Sequence, residues 1–147
     1  MPSTPEDFVF RQPLAMRWSD FDMLRHVNNA KYLTFAEDAR GDYTVQALGW
    51  DWSQDGCVVA RASIEFIRPL LYTDKAFIYT RCTRLGSKSF DMETLITQEN
   101  EGQPIQIAAR LDCAMVMLNY KTGKTYPIPE HLREKILAFE KIRPEGA

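Results

Sequence analysis

Between Arg17 and Asn29 the chain gathers two carboxylates (Asp20, Asp22), one imidazole (His26), two amides (Asn28, Asn29) and two guanidinium groups (Arg17, Arg25). A long apolar period begins directly after them, so the segment reads as a loop running into a helix start. A helix N-terminus presents backbone N–H groups without intrahelical acceptors and a partial positive charge. Such donors can hold an oxyanion as it develops. A carboxylate beside them can act as nucleophile or as general base toward water. Asp22 and Asn29 are seven residues apart, so one tight loop suffices to bring them face to face. Asp- and Asn-rich segments before helices also make turns and caps. Taken singly, Asp20 reads as a turn or cap residue and His26 as a hydrogen-bonded loop histidine. His131, in the first turn of the last helix, is given no role.

The elements that must position these groups follow from the periodicity. Phe8 to Trp18 reads as a strand broken near Pro13, hence an edge or bulged strand. Tyr32, Ala36, Ala39, Tyr43 and Ala47 recur at spacings of 4, 3, 4 and 4, one face of a helix. Asn28 or Asn29 is its expected N-cap and Gly49 its left-handed stop. Gly41, inside the helix, costs about 1 kcal/mol relative to alanine and predicts close packing against a neighbour, or a kink. From Cys57 to Leu118 the pattern is strand and hairpin: Val58–Phe66, Ala76–Cys82, Phe90–Gln98, and Ile105–Met117, which alternates throughout. Lys121–Lys124 is a turn, and Glu130–Phe139 an amphipathic closing helix. The layout is α+β, one long helix covering the apolar face of one antiparallel sheet. Residues 1–147 read as a single domain with loose tails at 1–7 and 143–147.

Composition bounds the function. A chain of 147 residues buries enough surface to build a core without staples. The balance of 18 basic against 20 acidic residues gives a net charge of −2, which does not support a nucleic-acid partner. No apolar run is long enough to cross a membrane, and Met1 to Phe10 lacks the pattern of a signal peptide, so a cytoplasmic protein is expected. Cys57, Cys82 and Cys113 are odd in number and widely spaced. They fit neither a disulfide framework nor a zinc site and read as small hydrophobes in a reducing compartment. No clustered ligand set suggests a metal.

The order Asp20-x-Asp22-x-x-x-His26-Val27-Asn28-Asn29-Ala30-x-Tyr32, followed by Phe35-x-Glu37-x-Ala39-Arg40, resembles the signature of hot-dog-fold acyl thioesterases. The group it resembles most is the 4-hydroxybenzoyl-CoA thioesterase-like family. The His26-Val27-Asn28-Asn29-x-x-Tyr32 part is also similar to plant acyl-ACP thioesterases. The resemblance implies a hot-dog fold, with a long central helix on a five-stranded antiparallel sheet and a short C-terminal helix. It implies hydrolysis of an acyl-CoA or acyl-carrier thioester, with no cofactor beyond the coenzyme A of the substrate. Asp22 matches the catalytic aspartate, Asn29 the helix-start residue whose backbone N–H polarises the thioester carbonyl, and His26 a histidine implicated in the plant enzymes. Asn28 and Tyr32, in the same signature, are implied in substrate binding.

The chain departs from the pattern twice. Leu24 stands where the plant enzymes have a catalytic asparagine, and Arg25 where many bacterial relatives have glycine. The departures favour the simpler pairing of Asp22 with the helix start, and make Arg25 a candidate for a charged substrate group. Gly86-Ser87-Lys88-Ser89-Phe90 resembles the segment that meets the pantetheine and nucleotide, which implies Lys88 for a phosphate and Ser89 for the pantetheine arm. Arg61, Arg68, Arg81 and Arg84 are further cationic candidates. Glu37 is expected in an ion pair or an orienting role, and Trp50, Trp52, Met115 and Met117 as apolar lining that suits a fatty or an aryl acyl group. A homodimer or tetramer is expected, because one helix over one sheet leaves edges to be covered. Two other readings are carried forward: a non-catalytic acyl-CoA binding module, and a hot-dog dehydratase pairing His26 with Glu37.

Overall fold

The residues of the helical period form α1, Asn29–Leu48, in the computed structural model, which describes residues 1–147. Asn28 is the N-cap, its side-chain Oδ1 accepting the Ala30 N–H at 3.0 Å. Gly49 stops the helix in the left-handed region, with φ of 59°. Tyr32, Ala36, Ala39 and Tyr43 are buried, and Ala47 is half-buried. Their stripe lies on an antiparallel sheet of β1 (Phe10–Pro13), β2 (Cys57–Phe66), β3 (Ala76–Leu85), β4 (Ser89–Gln98) and β5 (Gln106–Asn119). The strand order is β1-β3-β4-β5-β2, so β1 and β2 are the edges. A two-residue strand, β6 (Lys124–Thr125), pairs with the end of β5 where a turn alone is expected from the sequence. The closing helix is α2, Glu130–Phe139. Pro13, which cannot donate to a ladder, ends β1 well short of Trp18.

Two apolar clusters mark the two ends of α1. Val27, Tyr32, Phe35, Leu70, Ile96 and Ala109 pack at its start. Tyr43, Leu48, Trp50, Cys57, Phe90 and Met117 pack at its end, against Leu132 and Ile136 of α2. An α-helix rises about 1.5 Å per residue, so the 20 residues of α1 separate these ends by about 30 Å.

Three expectations are corrected. The N-terminal residues are not loose. Ser3 Oγ donates to Glu93 at 2.7 Å, Arg110 donates to the Ser3 carbonyl at 2.6 Å, and Phe8 is buried against Tyr79 and Leu95. The C-terminal residues are not frayed either, since Glu145 exchanges backbone hydrogen bonds with Thr83 and Leu85 at 2.9 Å and Pro144 is buried. Gly41 neither packs closely nor kinks the chain: α1 runs through it unbroken, and a Cβ built there meets nothing within 4 Å.

Glu140, just past α2, ties that helix to the sheet. Its Oε1 accepts the Tyr43 hydroxyl and, at 2.8 Å, the Cys82 N–H. Burial pushes the Glu140 carboxyl above its ordinary range, against the hydrogen bonds from Tyr43 and Cys82. A folded-state pKa above the unfolded value means that the native state holds the proton more tightly. That contribution is complete below the unfolded pKa and is lost as pH rises through the folded one. Denaturant unfolding of the wild type is therefore expected to contain a Glu140 contribution that falls as pH rises from the ordinary glutamate range. In Glu140→Gln, whose amide oxygen still accepts both donors, this loss is absent.

Candidate active site

Asp20 anchors the loop. Its carboxylate is fully buried, accepts the Arg17 N–H at 2.8 Å, and lies 3.4 Å from the Arg17 guanidinium and 3.9 Å from Lys31 Nζ. Its carbonyl accepts the Asn28 N–H at 2.8 Å, fixing where α1 begins. The turn role read from the sequence holds for this residue. Beyond it, Phe21 pairs with Val27 and His26 with Leu71 as isolated bridges. Asp22 N–H donates to the His26 carbonyl at 2.9 Å, and Arg25 N–H to the Asp22 carbonyl at 3.0 Å. This closes a tight turn in which Arg25 has φ of 63°. That is the left-handed conformation glycine adopts without strain, at the position where the resemblance expects glycine.

Asp22 is exposed at the tip of this turn, with Oδ1 accepting the Leu24 N–H at 2.9 Å. It lines a cleft of about 780 Å³ with Trp18, Phe21, Met23, Arg25 and Tyr72. Trp18 and Phe21 both stand edge-on to Tyr72, at 5.7 Å and 5.3 Å between ring centroids.

The amides at the start of α1 can be accounted for one by one. Val27 N–H donates to the Leu70 carbonyl at 3.0 Å, and Asn28 N–H to Asp20. Ala30 N–H goes to the Asn28 side chain and Lys31 N–H to the Asn28 carbonyl at 2.9 Å. The Asn29 N–H has no acceptor in the chain. Asn29 shares a cleft of about 200 Å³ with His26, Tyr32, Phe66 and Arg68. The His26 ring makes no hydrogen bond in the chain, contrary to the expectation of a bonded loop histidine; only its backbone is engaged. The Asn28 side chain is occupied as the cap, and Tyr32 is buried edge-on to Phe66 at 5.1 Å.

Other candidates lie elsewhere. Lys88 sits in the β3–β4 turn, its carbonyl accepting the Met117 N–H at 2.9 Å, and Ser89 opens β4. That is the sheet end beside the end of α1, opposite to Asp22 and Asn29. The Ser89 hydroxyl accepts from Arg84 at 3.1 Å, and Arg84 is itself paired with Asp91 at 2.7 Å. Arg81 is paired with Glu93 at 3.1 Å. Of the cationic candidates, Arg61 and Arg68 remain exposed and unpaired. Glu37 forms no ion pair, the first of the two roles expected for it. It lines, with Arg40, Gly41 and Thr44, a third pocket of about 500 Å³ between α1 and β2. Within one chain, His26 and Glu37 therefore face different clefts. Trp52 and Met115 line this third pocket as expected, while Trp50 and Met117 are core residues. The sequence reading missed this pocket, although Glu37, Arg40, Gly41 and Thr44 follow the one-face spacing of a helix. All three cysteines are free and buried, and burial pushes the Cys57 and Cys82 thiols up to about 12.

Residues 16–136 match the model of the thioesterase-like superfamily. The chain belongs to that superfamily. It is 32% identical over 126 residues to the long-chain acyl-CoA thioesterase FadM of Escherichia coli (strain K12), covering 84% of this chain and 93% of that protein. It is 37% identical to a thioesterase from Thermus thermophilus solved with coenzyme A and Zn, with a TM-score of 0.81 over 93% of this chain and 98% of that one. A 4-hydroxybenzoyl-CoA thioesterase mutant solved with 4-hydroxybenzoyl-CoA shares the fold at 17% identity, with a TM-score of 0.80 over 86% of this chain and 97% of that one. The hot-dog architecture and the family expected from the Asp20–Arg40 signature are thereby borne out, and thioester hydrolase is the enzyme class of that family. No helix of the chain is long and apolar enough to cross a membrane.

Proposed function

We propose that the protein hydrolyses the thioester of an acyl-CoA, or of an acyl-carrier protein, to the free acid and thiol. One observation carries this reading: the N–H of Asn29, the first residue of α1, has no acceptor in the chain. The thioester carbonyl oxygen accepts that N–H at the positive end of α1, where charge developing on the oxygen meets a fixed donor. Asp22, with Oδ1 held by Leu24 and Oδ2 unbonded, supplies the second group. It either attacks the carbonyl carbon, forming a mixed anhydride that water then hydrolyses, or takes a proton from the attacking water. In both routes the carbon–sulfur bond breaks and the thiolate leaves with a proton. His26 positions the thioester beside Asn29, Tyr32 walls the cleft, and Asn28 holds the helix start in register. Arg25 meets a charged group of coenzyme A. No step is assigned to a metal or to a further cofactor. The naming of FadM as a long-chain acyl-CoA thioesterase supports the substrate class. A cytoplasmic setting accords with three free, buried thiols.

The reading includes a homodimer, the smallest assembly that covers the open edge; pairing of dimers into a tetramer is compatible with it. Strand β2 bonds only to β5 and leaves Val58, Val59 and Phe66 exposed along its edge. It runs from Cys57, at the end of α1, to Phe66, at its start. Antiparallel pairing of two copies along β2 sets the far end of one chain beside the Asn29 cleft of the other. Lys88 and Ser89 then come from the second copy to meet the nucleotide and pantetheine. Light scattering is expected to show a dimer or tetramer; a stable 17.0 kDa species at micromolar concentration contradicts it.

The activity is tested by release of free thiol from a panel of acyl-CoAs, read with a thiol reagent. Release by the wild type is expected. Tight binding without release would instead mean a binding module, and hydration of an enoyl-CoA would mean a dehydratase.

A further inference from the structure

Gly41 is a glycine that the fold does not need. It lies inside α1, where alanine is the better helix former, and its φ is not positive. A Cβ built there meets nothing within 4 Å, so no neighbour excludes a side chain. Within one chain the space it faces is the pocket of about 500 Å³ between α1 and β2, whose β2 wall lies along the edge that the proposed dimer pairs. The pocket's inner polar atoms are already partnered. Thr44 Oγ1 donates to the Gly41 carbonyl at 2.8 Å. The Tyr120 hydroxyl donates to the Cys57 carbonyl at 2.7 Å and accepts the Cys57 N–H at 3.1 Å. Only Glu37 and Arg40, both reached by solvent, remain free. The other walls are Trp52, Val58, Val59, Phe90, Met92 and Met115.

The lining is mostly apolar and its few polar groups are largely engaged with one another, so a hydrocarbon suits it better than a polar chain. Met92 and Met115 adapt to a flexible chain. We infer that Gly41 sets acyl selectivity, keeping this pocket open for an extended hydrocarbon acyl chain. The inference rests on the acyl-CoA reading above and deepens it. A leucine at this position would displace at least two methylenes of the chain, each worth about fourfold in affinity.

The test is calorimetric titration with two non-hydrolysable thioethers, S-dodecyl-CoA and S-butyl-CoA, against the wild type, Gly41→Ala and Gly41→Leu. The wild type is expected to prefer the dodecyl thioether, and Gly41→Leu to lose about fifteenfold of that preference. Gly41→Ala is expected to lose part of it while melting about 3 °C higher. Three results would overturn the inference: a wild type that binds both thioethers equally, a preference unchanged by Gly41→Leu, or an equal loss for both thioethers with a shift to monomer. The last would assign the space to a second copy. Because binding is read without hydrolysis, a collapsed preference in a protein that releases no thiol would sink the hydrolytic reading and leave this one standing.

Discussion

Asn29→Pro is expected to lower kcat for acyl-CoA hydrolysis by about 100- to 1,000-fold while leaving α1 folded. Proline removes the backbone N–H and little else at this position. Asn29 is the first residue of α1, where the N–H has no helical acceptor and the fixed φ of proline suits the helix. Asn28, before it, already has φ of −60° and ψ of 135°, the extended conformation that a following proline imposes. The Asn28 side chain keeps its bond to Ala30, so the cap survives. The loss therefore reports the missing donor to the carbonyl oxygen rather than a broken helix, and the circular dichroism and melting temperature of the variant check this. Asn29→Ala, which keeps the N–H and changes only an exposed side chain, loses far less.

Asp22→Asn costs at least about 100-fold in kcat, the scale expected for a group that attacks the carbon or accepts the proton of water. The substitution is nearly isosteric. The amide oxygen still accepts the Leu24 N–H, so the turn from Asp22 to Arg25 is kept. KM is expected to change little, because the proposed mechanism has Asp22 act at the reacting carbon and not on the nucleotide. Thiol-release kinetics across substrate concentrations separate the two effects. A rise in KM with an unchanged kcat would place Asp22 in binding instead.

Much of this arrangement is legible in the residues. The spacing of Tyr32, Ala36, Ala39 and Tyr43 gives the buried face of α1, and Gly49 its end. The short stretch from Asp20 to Asn29 reads as a turn into a helix start and folds as one, because that turn is local, although Asp22 and Asn29 line neighbouring but separate clefts. What the sequence hides is set by distant pairings. Ser3 is held by Glu93 and Arg110, and Glu145 by Thr83 and Leu85, contacts that no local pattern carries. Lys88 and Ser89 match a ligand-binding segment by type, yet the length of α1 sets them at the other end of the chain's sheet. Helix propensity records the cost of Gly41 but is silent on the empty space beside it, which Val58, Val59 and Met115 enclose from other strands. Asp20 and Asp22 are alike in the sequence. Burial beside Arg17 and Lys31 makes the first structural, and exposure at the turn leaves the second open to a ligand.

In the proposed mechanism the Asp22 carboxylate and the Asn29 N–H serve one hydrolytic step. Thiol release from a single acyl-CoA, followed side by side for the wild type, Asp22→Asn and Asn29→Pro, tests it most directly. Turnover by the wild type is expected, with a loss of at least about 100-fold in each variant and binding of S-dodecyl-CoA retained. An Asp22→Asn or Asn29→Pro protein that turns over near the wild-type rate would contradict this mechanism.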